Sequence, residues 1–248
     1  MKSATLIDGG LNIYGIAIGV LCLESYFAKL PGHIKNATSF DFPVSYKVVG
    51  GATVERLLRR PDPELRARFI EAARELERDG VAAITGSCGF LALFQKELAD
   101  AVDIPVFASS LIQVPMVHRM LKDGQTVGVM TASSKSLTPA HFEAVGAAGV
   151  PVSVIGMDDA REFTEVIVEG RREPLDFTKL EQEFVTAAKS LLQQDRQIGA
   201  IVLECTDMCS FAASIQSEVG LPVFDLTTLT RMVAAAVMQR HYQGFTPR

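Results

Sequence analysis

The sequence predicts an α/β protein made of two similar halves with parallel sheets, related by a pseudo-twofold. Three observations carry this reading. Apolar strand-like runs alternate with amphipathic helical ones, the pattern of βαβ units. Residues 81–107 overlay residues 198–224 at an offset of 117 without a gap, matching Ile84 to Ile201, Cys88 to Cys205 and Pro105-Val106-Phe107 to Pro222-Val223-Phe224. Further upstream, Gly19-Val20-Leu21 resembles Gly128-Val129-Met130, and Ser25 meets Ser134, at an offset of 109.

The elements follow in chain order. The apolar run 13–23 is too short to cross a bilayer, which takes about 20 residues, and no small-x-small cleavage site follows it. A strand buried on both faces reads this way, so the chain is expected to be cytoplasmic and free of membrane. A helix is expected over 63–79, with Pro61 and Pro63 at its start and Gly80 past its end. A strand through Ile84 then runs into the turn Thr85-Gly86-Ser87-Cys88-Gly89. Leu91, Phe94, Leu98 and Val102 continue as the apolar stripe of a helix lying on a sheet. A crossover at 115–123 leads to the second half. Its matching stripe is Met208, Phe211, Ile215 and Val219, and its extra residues fall in the charged stretch 158–176, where Val166-Ile167-Val168 is expected to form a strand. A second long helix is expected over 177–195. The halves are expected as domains at 1–117, carrying Cys88, and 118–228, carrying Cys205. A final helix, about 229–242, is expected to pack back on the first half.

Composition narrows the function. The chain is 48% hydrophobic and 21% charged, with a net charge of −5, so it lacks the basic footprint of a nucleic-acid binder. No P-loop is present, no dinucleotide fingerprint follows the first strand, and there is no Gly-x-Ser-x-Gly elbow. The four cysteines form no Cys-x-x-Cys pair, and no histidine stands at zinc-ligand spacing from them. No cofactor and no metal is therefore expected.

The cysteines separate by position. Cys22 lies inside the first strand and Cys209 on the helix face after Cys205, and both read as core. Cys88 and Cys205 occupy equivalent turns at the carboxyl ends of strands, where open parallel sheets bind ligands. Free N–H groups at such turns favour a thiolate and a bound carboxylate. Ser87, Gly89 and Thr206 fit the same purpose, as hydroxyls for ligand oxygens and a glycine for close backbone approach. Two thiols facing each other across a pseudo-twofold suit proton transfer at a carbon acid, one as base and one as acid.

With Ser87-Cys88-Gly89, Glu204-Cys205-Thr206 and Gly128-Val129-Met130-Thr131 followed by Ser133 and Ser134, the sequence resembles the aspartate/glutamate/hydantoin racemase superfamily. Leu30-Pro31-Gly32-His33-Ile34-Lys35-Asn36, with Phe42-Pro43-Val44, is similar to a racemase-like branch of it. The resemblance implies two flavodoxin-like domains with the active site in the cleft between them. It also implies cofactor-independent catalysis by Cys88 and Cys205, with a substrate carboxylate held by Ser87, Gly89, Thr206, Thr131 and Ser133. The chain departs from glutamate racemase in both turns, lacking the His-Tyr-Pro that follows the second cysteine there. The expectation is a racemase or epimerase, an isomerase acting on a small carboxylate, amino acid or hydantoin-like compound, and a homo-oligomer. Two alternatives stand beside it. One is a cis-trans isomerase or lyase with Cys88 as nucleophile. The other is a ligand-binding or regulatory protein without turnover.

Overall fold

The computed structural model describes residues 9–59 and 62–245. Pro61, one of the two prolines expected to open the first long helix, lies outside them.

In the first half, β1 (Ile16–Cys22) leads through a long loop to β2 (Val44–Val48), then to α1 (Val54–Arg59) and α2 (Pro63–Arg78). β3 (Val81–Gly86) follows, then a 3-10 turn (Gly89–Phe94) running into α3 (Gln95–Asp100), and β4 (Val106–Phe107). The four strands are parallel in the order β2-β1-β3-β4. The second half repeats the plan. α4 (Val114–Met120) enters β5 (Thr126–Thr131), followed by α5 (Pro139–Ala144), β6 (Val152–Gly156), α6 (Arg161–Phe163) and α7 (Phe177–Gln194). β7 (Ile198–Leu203), a 3-10 turn (Thr206–Phe211), α8 (Ala212–Val219) and β8 (Val223–Phe224) complete a parallel sheet of order β6-β5-β7-β8. The two-sheet α/β architecture is the one the sequence predicts.

The duplication holds at the level of register. β3 with β4 pairs Ile84 to Val106 and Thr85 to Phe107, and β7 with β8 pairs Ile201 to Val223 and Val202 to Phe224. α2 and α7 each lay one apolar stripe on their sheet: Leu65, Phe69, Ala73 and Leu76 in the first, Leu180, Phe184, Ala188 and Leu191 in the second, all buried. Each large side chain so buried contributes about 1.5–3 kcal/mol. Asp62 caps α2 by accepting from the Glu64 N–H at 2.9 Å. Gly80 ends it at φ +92, where a Cβ would stand 2.4 Å from the Ile13 carbonyl oxygen.

Three expectations shift. The first strand starts at Ile16; Ile13 and Tyr14 before it are exposed. Val166-Ile167-Val168 is not a strand but part of a π-helical turn, Thr164–Val168, that continues α6. Its β-branched run is apolar because Val166 and Ile167 pack into the core. The final helix, α9, runs Leu226–Val237, earlier than expected. It does pack on the first half: Leu226, Leu229 and Ala234 join Ala17, Ile18, Val20, Ala83 and Phe107 in one apolar cluster. Among the described residues no helix is long and apolar enough to cross a membrane.

Candidate active site at the paired cysteine turns

The two turns leave their sheets in the same way. The Ser87 N–H donates to the Leu21 carbonyl at 2.9 Å, and the Glu204 N–H donates to that of Met130 at 2.8 Å. The carbonyls of Cys88 and Cys205 then accept from Leu91 and Met208 as each 3-10 turn begins. Cys88 and Cys205 are both extended at these starts.

Both thiols line one small enclosed cavity, together with Ser87, Gly89, Glu204, Thr206, Asp207, His33 and Lys35. Its apolar wall comes from Leu23, Phe27, Val54, Leu58, Phe90, Ala132 and Ile167. It measures about 20 Å³, the room of roughly one water. The loop between β1 and β2 closes it and reaches across to the second half. Thr227 Oγ1 donates to the Gly32 carbonyl at 2.7 Å, and a Cβ on Gly32 would lie 2.9 Å from the Ser210 Cα.

The partners of the two thiols differ. Cys205 Sγ donates to Asp207 Oδ2 at 3.4 Å. Asp207 Oδ1 is 2.9 Å from His33 Nε2, while His33 Nδ1 accepts the Lys35 N–H at 2.8 Å. With Nδ1 taken as an acceptor, the ring proton sits on Nε2 and is donated to Asp207. Burial raises the Asp207 carboxyl, but the bonds from His33 and Cys205 and the Lys29 charge outweigh it and hold the group below its ordinary range. Cys88 has no carboxylate bonded to its sulfur; the Phe90 N–H favours its thiolate as the Asp207 N–H favours that of Cys205, and the Lys35 charge adds to this at Cys88. Burial still pushes both thiols well above their ordinary value, and the charges of Glu204 and Asp207 add to that rise. Lys35 Nζ is held by the Leu23 carbonyl at 2.7 Å and Ser25 Oγ at 2.8 Å, and burial lowers its pKa.

Ser87, Cys88, Gly89, Cys205 and Thr206 are thus brought together, as the sequence suggests. Their hydroxyls are already committed. Ser87 Oγ accepts the Leu23 N–H at 2.9 Å, and Thr206 Oγ1 donates to the Ser87 carbonyl at 2.8 Å. Thr131 lies behind the cavity wall and donates to Glu204 Oε2 at 2.7 Å. Ser133 is not brought in. Its hydroxyl donates to Asp158 Oδ1, 2.6 Å away, and it does not line this cavity. Cys22 and Cys209 are buried, and burial raises both thiols, Cys22 to about 11. They are core, as expected.

Sequence reasoning missed His33, Lys35, Glu204 and Asp207 as site residues. His33 and Lys35 stand in the Leu30–Asn36 string that carries part of the family resemblance, but spacing alone does not show that this loop crosses to the second half.

Fold and site together define a class: duplicated α/β proteins of the racemase kind, with one cysteine turn per half over a shared cavity. The chain belongs to the Asp/Glu/hydantoin racemase family, whose sequence model matches residues 111–234. It is 33% identical over 221 residues to a dimethylsulfoniopropionate lyase of Durusdinium sp. clade D, a match covering 86% of this chain and 72% of that protein. It is 31% identical over 232 residues to dimethylsulfoniopropionate lyase 7 of Emiliania huxleyi (strain CCMP1516), covering 90% of this chain and 67% of that one. Among solved structures, glutamate racemase isoform RacE1 of Bacillus anthracis shares the fold at a TM-score of 0.59 and 16% identity, over 90% of this chain and 82% of its own.

Proposed function

We propose that this protein is a carbon–sulfur lyase that eliminates dimethyl sulfide from dimethylsulfoniopropionate, rather than a racemase. The observation that carries this reading is the unlike environment of the two thiols. A racemase needs each of its two bases to serve as acid or base in turn. Here Cys205 is bonded to the Asp207 carboxylate, whose charge adds to burial in keeping it a thiol. Both thiols have a backbone N–H partner, but Cys88 has no bonded carboxylate, and the Lys35 charge favours its thiolate. An elimination needs only one base. The names of the two relatives point the same way.

In the proposed reaction the Cys88 thiolate removes the proton alpha to the substrate carboxylate. The electrons of that C–H bond form the carbon–carbon double bond as the bond to sulfur breaks. Dimethyl sulfide leaves with the electron pair of the C–S bond, acrylate remains, and Cys88 holds the proton until it passes to solvent. Cys205, as a thiol, stands at the opposite face, oriented by Asp207 and His33. Phe90 and the Asp207 carboxylate give the sulfonium an aromatic and anionic surround, while the Phe27 ring already holds Lys29 Nζ over its face, 3.1 Å from the centroid. The cavity is small, and admitting substrate requires the loop over 24–42 to move.

Headspace gas chromatography of purified protein with dimethylsulfoniopropionate tests this. Dimethyl sulfide and acrylate are expected in equal amounts. Absence of dimethyl sulfide, together with exchange of the alpha proton in an amino acid or hydantoin, would return the protein to the racemases.

A further inference from the structure

Glu204 is the carboxyl of this site that the elimination above leaves unused. It is fully buried, and its two oxygens differ. Oε2 accepts from Thr131 Oγ1 at 2.7 Å and from the Ala132 N–H at 3.4 Å, whereas Oε1 has no hydrogen-bond partner. Oε1 lies against Gly89 in the opposite turn and fills the space a side chain there would take; a Cβ on residue 89 would come within 2.1 Å of it. The carboxyl therefore bridges the turns of Cys88 and Cys205, and both Glu204 and Gly89 line the cavity. With Oε2 occupied by two donors, a protonated Glu204 carries its hydrogen on Oε1, the oxygen that has no acceptor within the protein. A buried polar group of this kind calls for a partner, which a ligand can supply.

We propose that Glu204 acts as a neutral carboxylic acid whose Oε1–H donates a hydrogen bond to the substrate carboxylate. For its place in catalysis this rests on the lyase reading; for the bond itself, any carboxylate ligand suffices. Removing a proton alpha to a carboxylate piles further negative charge on that group. A fixed donor at its oxygen counts for most when the charge is greatest, and a carboxylic acid kept neutral at pH 7 by its apolar site is one known way to provide it. The hydrogen stays on Glu204, so no atom is transferred.

The surroundings favour the neutral acid. Asp207 and Cys205 face it from its own turn and Cys88 from the opposite one, with His33 and Lys35 across the cavity. Burial pushes Glu204 up to about 7, aided by the Asp207 charge and opposed by the bonds from Thr131 and Ala132. A bound carboxylate anion raises it further.

The test is calorimetry with acrylate at pH 7.5, in two buffers of unequal ionisation enthalpy, on the wild-type chain and on Glu204→Gln and Glu204→Leu. By linkage, the wild type is expected to take up a fraction of a proton per acrylate bound, because Glu204 is partly ionised at this pH before acrylate arrives. Glu204→Gln keeps a donor and is expected to bind within tenfold of wild type with no proton uptake. Glu204→Leu is expected to lose at least tenfold in binding, and about 10²–10³-fold in turnover, the loss of one oxyanion donor. Wild-type binding without proton uptake, uptake that persists in Glu204→Gln, or no acrylate binding at all overturns the proposal. The two readings separate cleanly. Proton-linked acrylate binding without dimethyl sulfide production sinks the lyase reading alone, and dimethyl sulfide production with proton-independent binding sinks the Glu204 proposal alone.

Discussion

Ser87, Cys88, Gly89 and Phe90 in the first turn stand where Glu204, Cys205, Thr206 and Asp207 stand in the second. The backbones are equivalent, bond for bond. The Leu23 N–H reaches Ser87 Oγ as the Ala132 N–H reaches Glu204 Oε2, and each turn hangs from the carbonyl before its strand end. Of the four side chains only the cysteine is shared. Exchange of serine for glutamate adds a carboxyl long enough to reach the opposite turn, and glycine at position 89 leaves the space for it. Exchange of phenylalanine for aspartate gives one thiol a carboxylate and the other an aromatic wall. The duplication places two turns on one cavity, and their side chains give the two thiols different surroundings.

The largest test of that difference removes the thiols singly. Cys88→Ala is expected to lower turnover about 10³–10⁴-fold, the upper range for a general base. Cys205→Ala is expected to cost at least tenfold less, measured as dimethyl sulfide release. Equal losses would break the comparison.

The second test follows the buried carboxyl. A group raised from 4.5 to about 7 by folding holds its proton more tightly in the folded chain, so stability falls as pH rises from about 4.5 to 7. Urea unfolding across that window is expected to show a loss on the order of 3 kcal/mol in the wild type. Glu204→Gln should lack this component of the slope, and a slope the variant shares in full would assign the titration elsewhere.

Smaller effects sharpen the geometry. Gly89→Ala places a Cβ against Glu204 Oε1 and its carbonyl oxygen, and is expected to destabilise by about 1–3 kcal/mol in urea. The reverse-handed control is Thr206→Val in the equivalent position. It removes only the bond to the Ser87 carbonyl and is expected to cost about 1 kcal/mol.

Much of the fold was legible because the repeat made it so. Apolar periodicity alone places helices and strands loosely, but the 117-residue offset aligns β3 with β7 and each cysteine with its mate, and the structure keeps that alignment at the register of single residues. Val166–Val168 failed because a short apolar run reads as either a strand or a buried helical turn. The site was legible only where it is repeated. His33 and Asp207 bond across 174 residues, and Glu204 meets Gly89 only after both halves close. Such pairs leave no periodic trace. Ser133 carries a hydroxyl at a strand end, and the sequence does not show that Asp158, 25 residues on, takes it up.

The measurement that tests the central claim most directly is proton NMR of dimethylsulfoniopropionate with the protein in deuterated water. One base and one leaving group predict dimethyl sulfide and acrylate in equal amounts, with the remaining substrate still carrying both alpha protons. Deuterium accumulating at the alpha carbon of unconverted substrate, with no acrylate formed, would mean that the proton is removed and returned without loss of the sulfur group, and would contradict the elimination.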